Sequence, residues 1–169
     1  MILLIACGNS LRRDDGAGLL LAELLEKSWR LGNWRVQRLT VHQLTPELAE
    51  FTAAKRVRAV VFFDSRVRHE KEGSQEVEVH PLVLRSSSLS LGHYCNPETI
   101  MLYALWLHGK KVPTWKVAVP GRDFAHGEGL STMAQEAIAK AMDMAALSPH
   151  EWLSRMEANT FQGHSTPPI

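Results

Sequence analysis

The stretch Gly8-Asn9-Ser10-Leu11-Arg12-Arg13-Asp14-Asp15-Gly16-Ala17-Gly18 sets two adjacent carboxylates and two arginines among three glycines. Such a composition packs poorly as core. It lies between a strand-like run, Met1 to Ala6, and a leucine-dense run from Gly18 to Trp29, the kind of turn in which a parallel sheet keeps its ligands. Spacing excludes the common phosphate loops. Ser10 and Arg13 stand where G-x-G-x-x-G needs its second and third glycines, and no lysine precedes Lys27 to complete a P-loop. Paired aspartates at a helix start already occupy the positive end of its dipole, so the loop suits a cation better than an anion. For one of the two aspartates, a helix cap is an equally good account.

A further carboxylate comes from Val57-Arg58-Ala59-Val60-Val61-Phe62-Phe63, a β-branched and aromatic run that stops on Asp64-Ser65. The pattern predicts a central strand with Asp64 at its carboxyl end, facing the crevice where α/β proteins bind ligands; a turn-capping aspartate is the alternative. The other chemistry-bearing residues are less specific. His93 lies in a loop ahead of a helix, where a lone histidine is ordinarily a polar surface group. His42, at the end of the second strand, either lines the crevice or is solvated. Cys95 reads as a buried or helix-capping thiol rather than a nucleophile. The serines at 86 to 88 lack the G-x-S-x-G elbow, and no H-E-x-x-H is present.

Gly8-Asn9-x-Leu11-x-x-Asp14-Asp15-Gly16-x-Gly18, seven specified positions in eleven, resembles the N-terminal signature of the hydrogenase maturation endopeptidases. That family trims the C-terminal extension from the large subunit of nickel-iron hydrogenases. The resemblance implies a peptidase that recognises nickel already inserted in its precursor substrate, so that the metal arrives with the substrate. It also implies nickel-contacting and catalytic roles for Asp15, Asp64 and His93, and brings His93 to the crevice of the two aspartates. Asp15 stands where glutamate is frequent in the family, one methylene shorter. His42-Gln43-Leu44 departs from the glycine-threonine-glycine segment of many members. Two carboxylates and an imidazole form a mixed oxygen and nitrogen set suited to nickel or zinc, with coordination positions left open.

The elements needed to hold these residues follow in order. A first helix is expected from about Asp15 to Trp29, with Leu20, Leu21, Leu24 and Leu25 inward. Trp34 to Val41 predicts an edge-proximal strand, and Thr45-Pro46 the cap and start of a short helix to Lys55. Val67 to Ser74 reads as an exposed connection. Glu76 to Leu84 alternates, and Pro81 places it at an antiparallel edge. Asn96-Pro97 opens a helix ended by Gly109. Thr114 to Val119 is a fifth strand broken by Pro120-Gly121, and Ser131 or Thr132 caps a last helix, Ala134 to Leu147. The expected fold is a three-layer α/β/α sandwich with a mostly parallel five-stranded sheet and one antiparallel edge strand. It occupies residues 1–150 as a single domain, with 151–169 as a C-terminal tail in which Trp152 and Leu153 can dock and Asn159 to Ile169 is expected to be mobile.

A chain of 169 residues with 45% hydrophobic content can bury one substantial core. A net charge of +1 with both signs interleaved gives neither a broad basic surface for nucleic acid nor an acidic tail. No apolar run reaches the roughly 20 residues of a membrane span, the N-terminus lacks the features of a secretory signal, and Cys7 and Cys95 form no C-x-x-C pair. A cytoplasmic protein without nucleic-acid or membrane partners is expected. The resemblance names its partner as a hydrogenase large-subunit precursor. Two other readings remain from the sequence: a non-catalytic, nickel-recognising hydrogenase assembly factor, and a flavodoxin-like nucleotide-binding module.

Overall fold

The computed structural model describes residues 1–68, 75–84 and 95–162. The strands are β1 (Ile2–Cys7), β2 (Val36–Val41), β3 (Ala59–Val67), β4 (Glu78–Pro81) and β5 (Thr114–Gly121). The helices are α1 (Ala17–Leu31), α2 (Leu48–Ala53), α3 (Pro97–His108), α4 (Thr132–Met142) and α5 (Pro149–Gln162), with a 3-10 turn over Arg13–Gly16 before α1. The sheet order is β2-β1-β3-β5-β4. All neighbours are parallel except β4 and β5. This is the expected three-layer arrangement.

The layers follow from alternation along the central strands. Leu4, Ala6, Val61 and Phe63 point to one face and pack with Leu21, Leu25, Trp29, Ala137 and Trp152 of α1, α4 and α5. Leu3, Ile5, Val60 and Phe62 point to the other and pack with Leu48 of α2 and Ile100, Met101 and Ala104 of α3. β1 connects through α1 to β2 on one side, while β3 lies on the other side of β1. The strand order therefore reverses between β1 and β3, and a crevice opens at their carboxyl ends.

Several elements differ from their expected bounds for identifiable reasons. Residues 13–16 form the 3-10 turn, so α1 starts at Ala17, and its buried stripe is Gly18, Leu21, Ala22, Leu25 and Trp29, with Leu20 exposed. Thr45 and Pro46 make a turn that delivers carbonyls to Leu48 and Ala49, and Thr45 is not the cap of α2, which begins at Leu48. β3 does not stop at Asp64. It runs to Val67 because β5 continues beside it through Pro120 and Gly121; β4 pairing ends at Ala118, so Pro120 lies where β5 is an edge on that side and proline is tolerated. Asn96 caps α3 by accepting from the Thr99 N–H at 2.8 Å, and Gly109 ends it at φ 61°.

The expected boundary between residues 150 and 151 falls inside α5. Trp152 is fully buried, meets Trp29 edge-on with ring centroids 5.8 Å apart, and donates its indole N–H to the Ala141 carbonyl at 2.9 Å. Leu153 and Met156 join the same core. Thr160 Oγ1 accepts the Val79 N–H at 2.9 Å, which covers a backbone donor of the edge strand β4. Residues 163–169 lie outside the described residues. Among the described residues no helix is long and apolar enough to cross a membrane.

Candidate functional site

The loop after β1 is built by close approach of backbones. Gly8 has φ 150°, and a Cβ there would lie 2.1 Å from the Asp15 carbonyl oxygen; no other residue type fits. Gly18 brings α1 against β3, since a Cβ would lie 2.9 Å from the Asp64 carbonyl carbon. The Gly18 N–H donates to Ser65 Oγ at 3.1 Å, and that hydroxyl donates to the Asp15 carbonyl at 3.4 Å. Ser65 thus fastens the start of α1 to the strand that carries Asp64. Its signal in the sequence is only that it follows Asp64.

The two aspartates of the loop have different roles. Asp14 is fully buried. Its Oδ2 accepts the Arg122 N–H at 2.7 Å and the Asp123 N–H at 2.9 Å, while Oδ1 accepts the Ser131 N–H at 2.7 Å. Burial opposes its ionisation, but the donors from Asp123, Ser131 and Arg122 hold the carboxyl below its usual range. Asp14 therefore anchors the segment after β5, which also meets the loop through an Arg13–Asp123 ion pair at 2.6 Å and a parallel bridge between Arg12 and Gly127. Asp15 makes one local bond, accepting the Asn9 N–H at 3.0 Å. Among the described residues it forms no ion pair.

Asp64 stands one residue beyond the last pairing of β3 with β1, Ala6 with Phe63. Its Oδ1 accepts the Ser65 N–H at 2.8 Å. Although its surface is open to solvent, the protein around it displaces enough water to push the carboxyl up, and the Asp15 charge adds to the rise against the Ser65 hydrogen bond. Neither aspartate is paired with a cation among the described residues. Cys7, at the end of β1, feels both: burial, then Asp64, then Asp15 push its thiol up to about 11. At neutral pH it is a protonated thiol and a poor nucleophile.

His42 is exposed at the end of β2, with Nδ1 3.2 Å from the Gly8 carbonyl. A bond to that carbonyl requires Nδ1–H and leaves the ring's lone pair on Nε2. The structure thus brings Asp15, Asp64, Cys7 and His42 to the carboxyl ends of β1, β2 and β3. His93 and the serines at 86 to 88 lie outside the described residues. Cys95 lies beside the cap of α3, with Sγ 3.9 Å from the Asn96 carbonyl, and burial raises its thiol with a smaller rise from Glu47. Among the described residues no group of three His, Cys, Asp or Glu side chains is arranged to hold a metal ion. Any metal held here needs donors beyond Asp15 and Asp64.

No protein-family profile and no curated protein sequence matches the chain. Solved structures do. The NiFe hydrogenase maturation protease HycI from Thermococcus kodakarensis superposes with a TM-score of 0.59 at 20% identity, over 90% of this chain and 92% of that one. The hydrogenase maturating endopeptidase HybD from E. coli gives 0.56 at 16% identity, over 96% of this chain and 93% of that one. The HybD protease from Thermococcus kodakarensis gives 0.53 at 21%, over 85% and 95%.

The chain has the fold of the hydrogenase maturation proteases. At these identities the likeness is one of fold, and it extends along most of the chain. The fold accounts for the order reversal between β1 and β3 and for the placement of the Gly8 loop, the Asp64 strand and the β2 terminus around one crevice.

Proposed function

We propose that the protein is a cytoplasmic endopeptidase that removes the C-terminal extension of a NiFe hydrogenase large-subunit precursor after nickel insertion. The observation that carries this reading is the uncompensated pair Asp15 and Asp64 at the order reversal of a hydrogenase maturation protease fold. Two carboxylates with no cation between them repel each other, and a divalent cation relieves that repulsion. Nickel carried by the precursor is the substrate group that Asp15 and Asp64 grip, with His93 as the nitrogen donor implied by the family resemblance. Gripping the metal positions the adjoining polypeptide in the crevice for hydrolysis. With so few ligands of its own, the free protein holds nickel weakly.

The test is incubation with nickel-loaded and nickel-free precursor, following the shortened product. Cleavage only of the loaded precursor is expected. Asp64→Asn keeps the shape and removes the charge, and should slow processing about a hundredfold or more while the protein stays folded. Binding of the loaded precursor without cleavage would identify an assembly factor instead. An unchanged rate in a folded Asp64→Asn variant would reject the metal role of Asp64.

A further inference from the structure

We propose that Arg35, Arg56 and Arg58, with Trp34 and Phe51, form a docking site for an acidic peptide segment of a partner protein at the amino edge of the sheet. Ile2 pairs with both Val36 and Ala59, so Arg35 and Arg58 occupy one row on either side of Met1. The row is hydrogen-bonded: Ile2 N–H donates to the Arg35 carbonyl at 2.8 Å, and Arg58 N–H to the Met1 carbonyl at 2.9 Å. Two strand spacings put the arginine backbones roughly 10 Å apart, within reach of one ligand for two such long side chains. They border a cavity of about 600 Å³ that is also lined by Arg30, Trp34 and Arg56 and by no acidic residue.

The guanidiniums differ in their commitments. Arg30 pairs with Glu26 at 2.8 Å and donates to the Val36 carbonyl, and Arg56 donates to Gln37 at 3.2 Å. Arg35 and Arg58 make no ion pair or side-chain hydrogen bond among the described residues. Trp34, which lines the same cavity, is 46% exposed. A second cavity of about 230 Å³ shares Met1 and Arg56 with the first and is lined by Leu3, Phe51 and Val57; Phe51 is 50% exposed. The two cavities adjoin at Met1 and Arg56, with Trp34 lining one and Phe51 the other.

Charge and shape select the occupant. Guanidinium forks bind carboxylates two-pronged, and exposed aromatics beside arginines are the residues that carry binding energy at protein interfaces. A mononucleotide would use the larger cavity and leave Phe51 uncovered. A nucleic-acid strand, with charge at every step, would pass over Glu50, which lines the second cavity, on a chain whose net charge is only +1. A peptide with carboxylates toward Arg35 and Arg58 and an apolar side chain toward Phe51 matches both halves. The site lies at the opposite end of the strands from Asp15 and Asp64, so occupancy of one does not block the other.

The experiment is fluorescence anisotropy with a fluorescein-labelled peptide of Glu-Glu-Phe repeats and the full chain. Saturable binding is expected, weakened at least about tenfold by Arg35→Glu with Arg58→Glu. Lys140→Glu with Arg155→Glu, an equal change of net charge elsewhere, should leave it unaltered. Arg35→Gln with Arg58→Gln serves if the reversal variant fails to fold, and Phe51→Ala should weaken binding with no change of charge. Absence of saturable binding, equal weakening in the control variant, or tighter and arginine-dependent binding of ATP or a single-stranded oligonucleotide would overturn the proposal.

Discussion

Asp64 on β3 and Glu78 on β4 both stand opposite Ala118 of β5. The two carboxylates therefore share a row of the sheet and a face, with one strand between them, yet their surroundings are opposite. Glu78 is buried at 1% exposure, ion-paired to Arg66 and Arg68, with His80 Nε2 at 3.3 Å. Burial opposes its charge, but Arg66, His80 and Arg68 together hold it below the usual carboxylate range. Burial raises Asp64, and its acidic neighbour raises it further. Arg66 lies two residues beyond Asp64 on the same strand and is engaged by Glu78 instead. One carboxylate has its cations built in and serves the fold, whereas the other has no cation partner among the described residues.

Removing Glu78 should have the largest effect on stability. Glu78→Ala leaves Arg66 and Arg68 without their acid, and urea unfolding should show a loss of about 3 kcal/mol, the low end of the range for a broken buried pair because Arg66 is partly solvated. Asp64→Asn, by contrast, should leave the midpoint unchanged or higher, since it removes a charge that the fold does not stabilise. A destabilisation by Asp64→Asn as large as that by Glu78→Ala would break the contrast.

The adjacent pair in the Gly8 loop sharpens it. Asp14 belongs with Glu78 in kind, because its partners are backbone donors from the far side of the chain. Asp14→Asn turns one acceptor oxygen into a donor group facing N–H groups, and should cost about 2 kcal/mol. Asp15→Asn should change stability by no more than about 0.5 kcal/mol while impairing processing. The same unfolding and cleavage assays applied to both variants check the distinction.

The smallest effect is on pH dependence. Glu78 and Asp14 have depressed values in the folded protein. Their stabilisation is present above their unfolded values and is lost as pH falls through the folded ones. Asp64 is raised, so its contribution has the other sign: stability declines as pH rises from its unfolded value through its folded one. Thermal midpoints between about pH 3 and 6 should therefore show a flatter acid limb for Glu78→Gln than for the unsubstituted protein. Asp64→Asn should show a slightly steeper one. Identical profiles for the two variants would contradict the opposite shifts.

Much of this molecule was legible along the chain, because the signals were local. Alternation with Pro81 marked β4 as an antiparallel edge, Asn96-Pro97 marked the start of α3, and the glycines of the Gly8 loop marked a turn. The resemblance carried by that loop pointed to the fold that the structure has. What the sequence left open was which aspartate of the loop was structural, since Asp14 and Asp15 have the same chemistry and neighbouring positions. The choice was made by N–H groups of Arg122, Asp123 and Ser131, more than a hundred residues away. Likewise Asp64 and Ser65 read as a strand end until β5 was laid beside them, and Trp152 and Leu153 read as able to dock, but with no partner named until Trp29 was there to receive the indole. Local pattern sets where helices and strands form, because propensity and capping act over a few residues. Partners for a buried charge or an indole come from anywhere in the chain, and only the packed sheet assigns them.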